Sequence, residues 1–247
     1  MIKRKKILLI VMIVVCVALF TGMTASAAGT IEELTKTIFG DNTETVDIII
    51  LLTVLTLLPS IIVMLTGFTR IVIVLAFIRN ALGMQQTPPN QVIIGLALFL
   101  TMFVMGPVFS DVYENAYKPY TREEITQDEF FERAMEPTRM FMLRQTGKSE
   151  LAFFVNMSGE ELEAPEESPN RILIPAFLLS EIKRAFMIGF FIYIPFIIID
   201  MVVASTLMAM GMMMLPPAMI SLPFKVLLFI IVDGWQLVIG TLVQSFG

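Results

Sequence analysis

FMIGFFIYIPFIIIDMVVASTLMAMGMMMLPPAMISLPFKVLLFIIVDGW, residues 186–235, holds two apolar runs parted by Gly211, three consecutive methionines and Pro216-Pro217. The first run, Phe186 to Ala209, and the second, Met219 to Phe246, each reach the roughly 18 apolar residues that a bilayer-length helix needs. Proline lacks an N–H and disfavours helix at the residue before it, so the chain must break between them. The stretch therefore reads as a pair of apolar helices joined by a sharp turn.

The same device occurs earlier. Val46 to Ile78 is apolar but too long for one simple span; Pro59, Gly67 and Arg70 interrupt it, which predicts a kinked helix or two pieces. Val92 to Phe109 is another run of spanning length. Between them Gln85-Gln86-Thr87-Pro88-Pro89-Asn90 forms a second proline-broken turn, with amides where charges would be usual. The fold class is all-α, with hydrophobic helices broken by Pro/Gly turns. Two such hairpins at corresponding places also suit a transporter with discontinuous helices.

Composition excludes much chemistry. Of 247 residues, 56% are hydrophobic and only 16% charged, against about a quarter charged in an ordinary soluble domain. There is no histidine, and the one cysteine is Cys16. Lys3, Arg4, Lys5 and Lys6, then apolar Ile7 to Phe20, then Ala25-Ser26-Ala27 have the three parts of a cleaved secretory signal peptide. Cleavage near Ala28 would leave a chain with neither Cys nor His. Thiol or imidazole catalysis and a conventional zinc site are then excluded. No P-loop, dinucleotide-binding or nucleophile-elbow motif is present. The chain is read as a non-enzyme, with no cofactor, no metal and no nucleic-acid partner.

The charges crowd into Asp111–Arg171, which has 14 acidic and 7 basic residues. Thr121-x-x-Glu124 and Thr126-x-x-Glu129 have the capping-box pattern, and Ile125, Phe130, Ala134 and Phe141 could share one helix face. Pro137 is expected to bend or end that helix. Ser158 to Pro169 reads as an exposed acidic loop. The organisation is a signal peptide over 1–27, an N-terminal hydrophobic helical region over 28–110, an acidic external domain over 111–171, and a C-terminal hydrophobic hairpin over 172–247. With the signal cleaved, the positive-inside rule puts the Arg79–Gln91 and Gly211–Pro217 turns inside and the acidic block outside.

Charges within apolar runs are costly in lipid and normally face protein or water. They are Arg70, Asp200, Lys225 and Asp233, with Glu181, Lys183 and Arg184 at the entrance to the third run. Structural or intersubunit pairing is the favoured reading, because basic and acidic partners are about equally numerous; a proton relay is the alternative. Asp200 and Asp233 satisfy the count for an aspartyl intramembrane protease, but no active-site motif surrounds them.

GFTRIVIVLAFIRNALGMQQTPPNQVIIGLALFLT (67–101) and the run from Ile174 to Trp235 resemble the FliP family, the flagellar biosynthesis proteins of the type III export gate. The resemblance implies a homo-oligomeric ring, a pentamer in the family, joined by FliQ- and FliR-like subunits. It further implies FlhA- and FlhB-like export partners and unfolded flagellar proteins as cargo, at the bacterial cell membrane in the flagellar basal body. In the family's assembled complex the helices are raised out of the bilayer, so the spanning reading describes insertion better than the final state. A methionine-rich loop closes the family's pore, and Met212, Met213 and Met214 match it, with Gly211, Pro216 and Pro217 as its hinge; two prolines stand where one is expected. Three successive methionines cannot share one side of a helix, which favours a loop presented to a lumen. Methionine is unbranched and polarizable and conforms to irregular shapes, and an apolar constriction resists ions by dewetting. A Met-rich copper or solute transporter is the competing reading, since thioethers bind Cu(I).

Overall fold

The computed structural model describes residues 52–247, apart from 54, 58, 59, 62, 85, 161–163 and 213. The expected signal peptide and part of the first apolar run lie outside the described residues. The chain divides into two compact units, 1–63 and 64–247. In the first, the described backbone between 52 and 63 is helical, and the Thr56 hydroxyl donates to the Thr53 carbonyl at 2.9 Å.

The second unit is built from helices alone among its described residues. The α-helices are α1 (Phe68–Ala81), α2 (Asn90–Val104), α3 (Gly106–Val112), α4 (Lys118–Thr121), α5 (Gln127–Gln145), α6 (Lys148–Ser158), α7 (Asn170–Ala209), α8 (Pro217–Ile231) and α9 (Gly234–Gln244); a π-helical turn, Tyr113–Tyr117, joins α3 to α4, and a 3-10 turn, Pro165–Glu167, precedes α7. On α1, Ile71, Val74, Leu75, Ile78 and Ala81 recur at the spacing of one helix face, and all are buried. That face meets Ile93 and Ala97 of α2, Ala185 and Phe196 of α7, Phe229 of α8 and Val238 and Leu242 of α9. A second cluster joins Met105 and Val108 to Phe141 and Met142 of α5 and Leu173 and Phe177 of α7.

Helix α7 runs unbroken for 40 residues. The third apolar run, expected from Phe186, is only its second half. Its first half packs on α5 and α6, so one helix serves both the polar block and the apolar hairpin. Among the described residues α7 alone is long and apolar enough to cross a membrane. The runs expected as single spans over Val92–Phe109 and Met219–Phe246 are bent pairs, by 58° at Met105 and by 65° at Val232–Asp233. The causes are local. Pro107 has no N–H to continue α2, whereas at the second bend Asp233 takes a left-handed φ of 51° and Gly234 lies against the Phe229 ring. A Cβ on Gly234 would stand 2.3 Å from that ring.

In the acidic block, Thr126 and Glu129 form a complete capping box at the start of α5. Thr121 does not: its hydroxyl donates back to Lys118 at 2.9 Å and closes α4. Ile125, Phe130, Ala134 and Phe141 are the less exposed side of the segment. Helix α5 does not end at Pro137 but continues to Gln145, where Phe141 and Met142 pack on α7. One lost backbone bond is outweighed by burying two large side chains, each contributing about 1.5–3 kcal/mol. Arg139 donates to Asn170 and to the carbonyls of Glu166 and Ser168 at 2.6–2.8 Å, tying the loop before α7 to α5.

Helices α1 and α7 approach closely at Gly189, where a Cβ would meet Phe77 Cγ at 2.6 Å and its Cβ at 3.1 Å. Those atoms sit near the backbone and cannot swing away. Overpacking costs about 1–3 kcal/mol, against roughly 1 kcal/mol that alanine gains over glycine in a helix. Gly189→Ala should therefore lower the unfolding temperature in detergent, followed by circular dichroism. In a Phe77→Ala background the same change should be neutral or stabilising.

Candidate functional site

Arg70 is fully buried, and all five of its N–H groups are used. Nε donates to Glu181 Oε2 at 3.0 Å and Nη2 to Glu181 Oε1 and to Gln145 Oε1, the latter at 2.9 Å. Nη1 donates to the Ser245 carbonyl and hydroxyl at 2.8 and 2.9 Å. The guanidinium lies 3.8 Å from the centre of the Phe246 ring, which fits into space left by Gly67. Gln145 accepts a second bond from Arg184 at 2.9 Å and donates to the Phe246 carbonyl at 2.9 Å. One cation thus joins α1, α5, α7 and the end of α9.

Beside it, Lys183 donates to Glu150 of α6 at 2.5 Å. Lysine's hydrogen bond, helped by one from Ser149, holds the Glu150 carboxyl below the ordinary carboxylate range.

The α7–α8 hairpin has its own polar clamp. Asp200 accepts from Ser221 at 2.6 Å through Oδ1 and from Lys225 at 2.6 Å through Oδ2. Ser221 and Lys225 are buried, while Asp200 is half-buried. Lys225 therefore pairs with a neighbouring helix of its own chain. Asp233 stands apart: it is exposed at the α8–α9 break and makes no side-chain hydrogen bond or ion pair among the described residues.

Beyond the clamp, α7 ends in two crossed backbone bonds, Gly211 N–H to Met208 and Met212 N–H to Leu207, both at 3.0 Å. This Schellman closure needs a left-handed residue after the cap, and Gly211 supplies it with φ 76°. Met212 and Met214 come next in the loop; Met214 is 99% exposed. Pro216 then caps α8 and Pro217 is its first residue. Met213 is outside the described residues.

The α1–α2 turn opens with the same closure. Gly83, with φ 77°, and Met84 bond back to Asn80 and Arg79, and Pro88-Pro89 lead into α2 at Asn90. Ala81-Leu-Gly-Met84 and Ala209-Met-Gly-Met212 start two loops of equal length that end in Pro-Pro. Gln86 and Thr87 stand at the tip of the first, as Met214 and Leu215 do in the second, and Gln85 lies outside the described residues.

Sequence reasoning missed Gln145, Glu150, Ser221, Ser245 and Phe246. None stands out by type, and each gains its role from a partner 21 to 176 residues away. Among the described residues no three Asp, Glu, His or Cys side chains gather as a metal site.

Removing one member of a buried ion pair strands the other and costs about 3–5 kcal/mol, whereas replacing both by apolar groups is often neutral. Glu181→Ala should therefore prevent recovery of folded protein. Arg70→Met with Glu181→Met should restore most of it, because Gln145 keeps its bond from Arg184. Yield and melting temperature in detergent give the comparison. Equal losses for the single and double variants would show that the other Arg70 bonds, rather than the charge balance, hold the helices.

The profile of the FliP family matches residues 51–242. A flagellar biosynthetic protein FliP of Pectobacterium carotovorum is 56% identical over 205 residues, covering 83% of this chain and 80% of its own. One of Bacillus subtilis is 53% identical over 203 residues, 82% of this chain and 92% of its own. One of Caulobacter vibrioides is 53% identical over 202 residues, 81% and 76% respectively. With Arg70, Glu181, Asp200, Lys225 and both Gly–Pro-Pro loops inside the matched span, the chain belongs to the FliP family.

Proposed function

We propose that the chain is a pore-forming subunit of the flagellar type III protein export gate, passing unfolded flagellar subunits across the cytoplasmic membrane and sealing the pore when idle. The observation that supports this most is the α7–α8 loop. It exposes Met214 completely, between a glycine with positive φ and a proline pair. A large apolar side chain held wholly in the open, on a loop anchored at both ends, suits a seal completed by equivalent loops of neighbouring copies. The proposed partners are further copies of the chain in a pentameric ring, FliQ- and FliR-like subunits, and FlhA- and FlhB-like proteins. The reading assigns no catalytic residue to the chain. Outer faces of α2, α7 and α8 support assembly or membrane contact: Phe103, Phe191, Met201 and Ile231 are each well over half exposed, more apolar surface than a soluble monomer leaves open. Asp233, without a partner among the described residues, is assigned to pairing with a neighbouring subunit.

The test replaces Met212, Met213 and Met214 with alanine. The buried clamp and the Schellman closure are untouched, so the complex should assemble as before. Membranes carrying it should become leaky to small ions and solutes, measured by dye release or conductance. A variant that assembles and stays as tight as the parent would sink the seal. Lost Cu(I) binding with unchanged leak would instead favour the transporter reading.

A further inference from the structure

The two hairpin loops share a helix closure and a proline pair but not a chemistry. At the third residue before the cap, the α7–α8 hairpin has Leu207, which is buried; the α1–α2 hairpin has Arg79 at the same place. The helix closure itself therefore does not require a cation there. Arg79 is also unlike Arg70. Only its Nη1 is bonded, to Asn90 Oδ1 at 2.5 Å and the Pro88 carbonyl at 3.3 Å, both neutral acceptors. Its Nε is buried without an acceptor, and Nη2 makes no hydrogen bond among the described residues. There is no acidic residue between Asp47 and Asp111, and Arg70, the other cation in that stretch, is neutralised by Glu181. Arg79 is left as a half-buried positive charge beside the amide of Asn90.

Next to it is an apolar groove of about 350 Å³, lined by Leu75, Pro88, Val92, Leu96, Trp235 and Ile239 among others. Leu75 lies one turn before Arg79 on α1, and Pro88 both accepts from Arg79 and lines the groove. The charge and the groove are thus two ends of one site. An uncompensated guanidinium with free donors, continuous with an apolar slot, matches an amphiphile having an anionic head and a hydrocarbon chain. A helix of another protein would fill the slot but has no reason to bring a negative charge to its end. We infer that this site binds an anionic phospholipid, its phosphate on the free face of Arg79 and one acyl chain along Val92, Leu96 and Trp235. Basic pockets between helices on the cytoplasmic side are suited to such head groups, and the positive-inside rule puts this turn there. A groove this apolar needs filling whether or not the helices around it lie in the bilayer.

Trp235 is the only tryptophan in the chain and lines the groove, so it reports occupancy directly. The protein, with whatever subunits co-purify, is reconstituted in phosphatidylcholine vesicles, and the signal of a Trp235→Phe preparation is subtracted so that only Trp235 is read. Small fractions of phosphatidylglycerol or phosphatidylcholine with brominated acyl chains are then titrated in. Trp235 fluorescence should be quenched at about fivefold lower mole fraction by the brominated anionic lipid, the factor expected for one basic contact near the surface. Arg79→Gln should abolish that preference. Arg122→Gln, in the exposed acidic block, should leave it intact. Val92→Phe, at an exposed wall of the groove, should weaken quenching by both lipids. Equal quenching by both head groups, or a preference that survives Arg79→Gln, would overturn the site. So would inorganic phosphate at millimolar concentration removing the preference, since the ligand would then be the anion alone. Absence of quenching, with a subunit cross-linked from position 92, would assign the groove to a protein neighbour.

Discussion

A guanidinium buried among apolar helices is tolerable only if every donor is satisfied and the charge is balanced. Arg70 meets both conditions, and meeting them fixes the positions of four separate pieces of chain. Glu181 must come from α7, Gln145 from the end of α5, and Ser245 with Phe246 from beyond α9. Apolar packing alone lets helices slide by a turn at modest cost. The fork of an arginine does not, because a slip of one residue breaks several bonds at once. The register of the polar block against the hydrophobic helices depends on this one side chain.

Helix α7 carries that register outward. It begins beside Arg139 and Phe141, passes Glu181 and Lys183, approaches α1 at Gly189, and reaches Asp200 before the methionine loop. The Asp200–Ser221–Lys225 clamp then repeats at the far end what Arg70 does in the middle. It uses the half-exposed acid as acceptor and the buried lysine as donor, so a break on either side is felt unequally. Losing Asp200 strands a buried ammonium, whereas losing Lys225 leaves a carboxylate that still reaches solvent and Ser221. In the proposed gate, the loop is thereby mounted on a rigid helix pair while its own side chains stay free to deform.

Much of this is legible in the residues. Two Gly–Pro-Pro turns and long apolar runs are enough for helical hairpins, because glycine and proline act on the backbone wherever they stand. The unusual charges are also visible, since a polar residue in an apolar run needs a partner. The identity of that partner is not. Lys225 and Asp233 look alike by spacing, yet one meets Asp200 across the hairpin and the other meets nothing among the described residues. The start of α7 is hidden because hydropathy marks where side chains become apolar, not where a helix begins. Glu181 to Arg184 lie in mid-helix, where Glu181, Lys183 and Arg184 are satisfied by α1, α6 and α5. Thr121 and Thr126 carry the same capping pattern, and only the one that precedes a long packed helix forms the box.

The paired loops show where backbone and side chain part company. Schellman closure, a left-handed glycine and a proline pair are common to both, so the chain twice uses one solution for reversing an apolar helix. That solution leaves the residues between the glycine and the prolines unconstrained, and there the two loops diverge. Thioethers in one loop remove every strong hydrogen-bonding side chain from the tip, so water has little to hold it there. Amides stand there in the other, and one turn earlier on α1 the cation Arg79 keeps strong donors beside an apolar groove. Had the methionines served only to close the turn, the amide loop shows that they could be polar. Had the arginine served only to close the turn, Leu207 shows that it could be apolar. Each loop is thus the control for the other, and the residues that differ between them are those whose chemistry the turn itself does not require.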